Sequence, residues 1–262
     1  MQQRYHILQV GLGPIGLNIS ALLAQRTRAR IVAAIDTNPD LAGCNLGELI
    51  ENNNIDLTIS NQLEHAIQQQ DVDIAVVTTT SSAKALVEQI QPLIYAGISV
   101  ITTCEELLFP WKTQPLLAKN LDEMAKKHNA TILATGVNPG FLMDYLPTII
   151  TSLCHSVETI TVNRVQDASL RRVPFQRKIG AGISQDEFYK SVQAGTIKHV
   201  GLPESVHYIA HVLGLDIDSV QEDIQPVMDD ATVQGVQQQA RGMQGKRTRI
   251  ELNFIASMNN PN

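Results

Sequence analysis

Two groups of residues in this 262-residue chain could carry chemistry by type and spacing. The first is the triplet Gly11-x-Gly13-x-x-Gly16, with Asp36 at the end of the next apolar run. A glycine at the first position permits a tight turn, and one at the second lets backbone approach a diphosphate without a Cβ in the way. One at the third allows close packing of helix on strand. A helix opening at Pro14 and Ile15 offers unpaired N–H groups and positive partial charge to an anion. The second group is the acid pair Glu105 and Glu106, just after the apolar run Ser99 to Thr102. A carboxylate beside a nicotinamide ring suits chemistry on amines: it takes a proton from an ammonium, holds a cationic iminium and acts as general base in amine formation. Burial there would raise its pKa toward the working range. Each group has a plainer alternative. The glycines could form a turn without a ligand, or serve FAD or S-adenosylmethionine, and the acids could open the next helix, where its dipole favours them.

The elements around these residues set their geometry. Tyr5 to Val10 is a strand-like run that meets the glycine triplet, and a helix follows from about Ile15 to Arg26. Arg30 to Ile35, Asp73 to Val77, Ser99 to Thr102 and Thr131 to Ala134 are further buried-strand runs. Helical sequence lies between them at about Ala83 to Ala96 and Lys112 to His128. Continuous apolar runs alternating with helices imply parallel strands covered on both faces, hence an α/β fold with a doubly wound Rossmann sheet over residues 1–140. Residues 141–262 differ in texture. Phe141 to Cys154 reads as a helix, Glu158 to Arg164 as a strand with one buried face, and Arg171 to Lys178 as a basic loop. Helices are expected at Ser184 to Ala194 and Pro203 to Leu213, then a Gln- and Gly-containing stretch and a strand at Arg249 to Ile255. This half reads as an α+β domain for substrate binding and dimerisation.

Ligands of open α/β sheets bind beyond the carboxyl ends of the strands. Those ends supply Thr79, Thr80 and Ser81 to line a nicotinamide ribose, Thr103 and Cys104 ahead of the acid pair, and Asn138 for a carboxamide. Pro139 and Gly140 shape the approach to the ring. Asp36 accepts hydrogen bonds from ribose hydroxyls and repels a 2′-phosphate. No Arg or Lys follows it closely, so NAD is favoured, with Thr37 and Asn38 leaving room for NADP.

Bulk properties bound the class. A net charge of −6 argues against nucleic acid as the main partner. Mean hydropathy is −0.04, and no run approaches a membrane span in length. The start of the chain lacks the features of a secretory leader. Cys44, Cys104 and Cys154 are odd in number and far apart, as free thiols in a reducing cytoplasm would be, and imply no zinc site. His207 and His211 sit one helical turn apart without a third ligand, so surface or packing roles are favoured and no metal is expected. Arg171, Arg172, Arg177 and Lys178 could hold a substrate carboxylate or the phosphates of NADP, or could form a solvated loop. Phe109, Trp111 and Tyr145 could line an apolar pocket or belong to the core.

Three segments together resemble one family. They are Thr103-Cys104-Glu105-Glu106-Leu107, Gly136 through Asp144, and Asp167-Ala168-Ser169-Leu170-Arg171-Arg172 through Gln176-Arg177-Lys178-Ile179-Gly180. The chain is similar to the 2,4-diaminopentanoate dehydrogenases and native amine dehydrogenases, relatives of dihydrodipicolinate reductase by fold. The resemblance implies NAD(P)-dependent oxidative deamination of an amine, or reductive amination of a ketone or aldehyde with ammonia, in a homodimer. It places the catalytic glutamate at Glu105, with Glu106 second, and the substrate near Phe141, Tyr145, Arg172 and Gln176. Family members continue past the segment matching Arg249 to Ile255, so a shortened chain is expected here. The histidine–lysine motif of dihydrodipicolinate reductases is not reproduced after Gly140. Two alternatives stay open, a reductase of cyclic imines or carbonyls and a non-catalytic NAD-binding sensor.

Overall fold

A computed structural model of the chain describes residues 4–69, 71–171, 173–229 and 232–258. Packing divides it into two compact units, Met1–Gly136 and Val137–Asn262. The division falls ahead of the expected boundary, so Asn138, Pro139 and Gly140 pack with the second unit.

The first unit alternates strand and helix. β1 (Tyr5–Val10), α1 (Pro14–Ala24), β2 (Ala29–Ile35), α2 (Leu46–Leu49), α3 (Leu63–Gln69), β3 (Ile74–Val77) and α4 (Ala83–Tyr95) come first. β4 (Ser99–Thr102), a 3-10 turn at Glu105–Leu107, α5 (Pro110–Thr113), α6 (Pro115–Lys127) and β5 (Ile132–Ala134) follow. All neighbouring strands pair in parallel, in the order β2-β1-β3-β4-β5. That order reverses between β1 and β3. The crevice of a doubly wound sheet opens at such a switch point, and the loops leaving β1 (Gly11 to Gly13) and β3 (Thr78 to Ser82) flank it. Leu8, Val10, Ala75, Val77 and Val100 are buried with Leu86, Ile90 and Leu93 of α4, which explains the unbroken apolar strands. The helix expected from Lys112 to His128 is broken at Gln114, whose extended backbone (φ −139°, ψ 61°) suits a residue preceding Pro115.

The second unit contains α7 (Tyr145–Thr151), β6 (Ile160–Asp167), α8 (Val173–Lys178), α9 (Gln185–Gln193), α10 (Leu202–Leu213), β7 (Ser219–Asp229), β8 (Thr232–Gln244) and β9 (Arg247–Ser257). Its mixed sheet runs β6-β9-β8-β7, with β6 and β9 parallel and the rest antiparallel. Three expectations need correction. The helix expected from Phe141 begins only at Tyr145, because Asp144 caps it. The basic loop forms the short helix α8. The Gln- and Gly-containing stretch forms the long strands β7 and β8; in β8 the inward-facing Val236, Gln238, Ala240 and Gly242 are buried but give no hydropathy alternation. Ser184 and Glu187 close a capping box on α9, which seats Phe188 in the core beside Ile197 and Gly180. Among the described residues no helix is long and apolar enough to cross a membrane.

Phe188 is fully buried. Phe188→Ala is expected to destabilise the chain by about 3–5 kcal/mol, measured as a lower urea midpoint with an unchanged slope.

Candidate active site

The glycine triplet is built as its spacing implies. Gly11 has φ +87°, a backbone region that favours glycine, and its N–H donates to the Ile35 carbonyl at 2.8 Å. A Cβ on Gly16 would lie 2.0 Å from the Gly11 carbonyl oxygen, so the first turn of α1 rests directly on the loop. Gly13, by contrast, has nothing within 4 Å of a Cβ position, and Gly13, Pro14 and Ile15 are exposed. No side chain caps α1, which leaves the first-turn amides without intrahelical partners. These features fit the diphosphate of a dinucleotide.

Asp36 ties this loop to β2. Its Oδ2 accepts from the Leu12 N–H at 2.6 Å and its Oδ1 from the Asn38 N–H at 2.8 Å. Each carboxylate oxygen keeps a lone pair, so the acid can still meet ribose hydroxyls. Thr37 is exposed beside it. On the loop after β3, Thr79 donates to Gln89, the Thr80 hydroxyl accepts from the Ser82 N–H at 3.1 Å, and the Ser81 carbonyl is bound from the β4 side.

The two acids have different environments. Glu106 Oε2 accepts from the Ala83 N–H at 2.9 Å and from Gln114 Nε2 at 3.1 Å. Ser82, the residue at the α4 cap position, makes no side-chain capping bond there, so Glu106 supplies the cap from across the loop. The Glu105 carboxylate makes no hydrogen bond or ion pair with a described residue, although both acids open the 3-10 turn. Thr103 is held through its N–H to the Val77 carbonyl at 3.2 Å. Cys104, expected at the cofactor, turns its thiol into the core, where it donates to the Ser81 carbonyl at 3.2 Å. Burial first, and then the charges of Glu105 and Glu106, push that thiol up to about 12, so it has no nucleophilic use near neutral pH.

In the second unit Phe141 and Tyr145 come together, ring centroids 6.2 Å apart and both partly exposed. Between them lies fully buried Asp144, which the sequence did not single out as a site residue. It accepts from the Gly140 N–H at 2.8 Å, the Tyr145 N–H at 2.6 Å and the Ser205 hydroxyl at 2.8 Å. Pro139 is buried behind this turn. Gln176, expected near the substrate, turns its amide nitrogen to the carbonyls of Ala168, Ser169 and Arg171 at the turn after β6. Arg172 lies outside the described residues. Phe109 is buried, whereas Trp111 lines a groove of 380 Å³ in the first unit with Leu107, Leu108 and Leu133.

Asn138 meets a residue that sequence reasoning missed, His199, with Nδ2 and Nε2 3.0 Å apart. An amide nitrogen only donates, so Nε2 accepts and the imidazole proton sits on Nδ1. Asn138 Oδ1 and His199 Nδ1 are enclosed without a partner among the described residues. Gln238 holds the His199 backbone from both sides and reaches Glu222, itself paired with Lys198 at 3.0 Å. The His199 ring packs on Phe254, and Arg164 stacks over the same phenyl ring at 5.5 Å. Arg164 is half-buried and donates to Gln166, with no carboxylate in reach among the described residues. Burial and then neighbouring Arg171 lower its pKa.

Burial, followed by the charges of Arg164 and Lys178, holds His199 down to about 4. An imidazole ordinarily near 6.5 is therefore neutral in the folded chain where the unfolded chain binds a proton. Its effect on stability is favourable above about pH 6.5 and is lost as pH falls toward 4. The urea midpoint should drop across that window in the wild type, and less so in His199→Gln.

Comparison with known proteins follows the same division. Residues 5–104 match the family described as dihydrodipicolinate reductase, N-terminus, and residues 141–254 match the 2,4-diaminopentanoate dehydrogenase C-terminal domain. A curated 2,4-diaminopentanoate dehydrogenase from Acetoanaerobium sticklandii is 29% identical over 232 residues, covering 87% of this chain; the chain spans 65% of that relative's length. The solved amine dehydrogenase from Mycobacterium smegmatis superposes with a TM-score of 0.83 at 20% identity, over 98% of this chain and 80% of that one. GenD2 from gentamicin A biosynthesis, solved in complex with NAD, gives 0.59 at 16% identity, over 100% and 68% of the two chains. The first match thus lies within the first compact unit and the second within the second, so each half of the chain is similar to a different one of these domains.

Proposed function

We propose that the chain is an NAD(P)-dependent amine dehydrogenase with Glu105 as its proton acceptor. The observation that carries this assignment is the contrast between the two acids: Glu106 is spent on the α4 cap, while Glu105 is uncommitted at the carboxyl end of the sheet that bears the dinucleotide-type loop. A nicotinamide dinucleotide held by Gly11 to Gly16 and Asp36 would supply the hydride acceptor. Glu105 takes a proton from the substrate ammonium, freeing the nitrogen lone pair that drives out the hydride, and its charge then lies near the cationic iminium. Water adds to the iminium carbon and ammonia leaves, so the overall change is amine, NAD⁺ and water to carbonyl, ammonia and NADH, with one proton released. The reverse sequence aminates a ketone or aldehyde.

Asp36 supports NAD over NADP, because a 2′-phosphate would approach a carboxylate already fixed by two amides. The assignment also includes a cytoplasmic homodimer, on the strength of the family likeness.

Turnover of amines with NAD⁺, followed as NADH absorbance, tests the assignment. Glu105→Gln is expected to lower kcat by about 10²-fold or more with NADH affinity retained; wild-type rates in that variant exclude the role. Glu106→Ala is expected to cost about 1–2 kcal/mol of stability through the lost cap, read by urea denaturation.

A further inference from the structure

β1 is buried from Ile7 to Val10, and three of those four residues are apolar; the exception, Gln9, is fully buried. Burying an amide in the middle of a parallel sheet is unfavourable unless its hydrogen bonds are made. Gln9 Nε2 makes them to the two loops at the switch point, donating to the Gly11 carbonyl after β1 at 2.9 Å and to Thr78 Oγ1 after β3 at 3.1 Å. Thr78 Oγ1 also donates to the Gly11 carbonyl, at 2.9 Å. Gln9 Oε1 has no partner among the described residues, so this side chain serves its amide nitrogen alone.

These bonds act on one peptide plane. The Gly11 carbonyl is fixed from beneath by Gln9 and Thr78, while the N–H on the other side of the same plane, that of Leu12, is fixed by Asp36. A peptide is rigid, so fastening both edges sets the direction in which the chain leaves toward Gly13 and the first turn of α1. The same carbonyl is the atom on which Gly16 rests.

We propose that Gln9 is a positioning residue for dinucleotide binding, orienting the Gly11–Leu12 peptide so that the amides at the start of α1 face a diphosphate. This rests on the dinucleotide assignment above. Its consequence is a trade: the chain tolerates a half-satisfied buried amide in its sheet because that amide shapes the loop.

The test is Gln9→Leu, which keeps the approximate volume and removes the donor, measured by NADH fluorescence titration and by thermal melting without ligand. The Kd for NADH is expected to rise about tenfold or more, while the ligand-free melting temperature stays level or rises, since an apolar side chain replaces a buried unpaired oxygen. Thr78→Val, which removes the companion bond, should raise the Kd in the same direction. If Gln9→Leu does not fold, Gln9→Met, which also lacks a donor, replaces it and is expected to show the same loss of affinity. NADH affinity within about twofold of wild type in the variant overturns the proposal. So does an affinity loss that comes with a lowered melting temperature, the mark of a merely structural role. A wild-type chain that binds no dinucleotide overturns the functional assignment and this proposal together, whereas a failure confined to the variants overturns only the role of Gln9.

Discussion

The first unit depends on the distance between the Gly11 carbonyl and the Cα of Gly16. A side chain on Gly16 would place its Cβ 2.0 Å from that oxygen, far inside van der Waals contact, so α1 can sit where it does only over a glycine. That closeness brings the helix start to the mouth of β1 instead of above the sheet. Because the strand order reverses between β1 and β3, the same closeness puts the helix start beside the switch-point crevice. One steric allowance therefore converts an ordinary strand–helix connection into a corner whose free amides suit an anion, and Asp36 extends the corner to the tip of β2.

The acid pair shows how adjacent residues of one type divide two tasks. Cys104 is anchored in the core, which holds the segment fast and presents the residues after it as the first turn of a 3-10 helix. From there the Glu106 side chain returns to the amide at the start of α4. The helix end gains a carboxylate acceptor where its partial charge is positive. The bland use of an acid at a helix start is thus real for Glu106, though for α4 and not for the helix that follows it in sequence. Glu105 is positioned by these contacts without making them.

What could be read in the sequence follows from how directly each feature shows in local residue types. The parallel sheet was legible because strands buried on both faces must be apolar throughout, and Ile74 to Val77 or Ser99 to Thr102 have few other uses. The glycine triplet was legible because Gly11 and Gly16 answer local steric needs. β7 and β8 were not, since their buried face carries a glutamine and a glycine among its inward residues, and a pattern needs contrast to be visible. The capping of α7 was hidden for another reason. Asp144 looks like any acid before a helix until Gly140 and Ser205 are seen to converge on it, and Ser205 is distant in sequence. His199 was passed over because its importance depends on Asn138, which no spacing connects to it.

The polar interior of the second unit is consistent within itself in a way that bears on chemistry. The Asn138 amide can bond to His199 Nε2 as a donor only while that nitrogen is unprotonated, and burial with nearby Arg164 and Lys178 keeps it so. Burial and charge favour the neutral ring, and the bond from the Asn138 amide nitrogen then places its proton on Nδ1. Gln238 holds the histidine backbone through both halves of its amide, so the ring cannot easily turn away from Phe254. A histidine held in this way is a fixed hydrogen-bonding group across the neutral pH range and not a proton carrier.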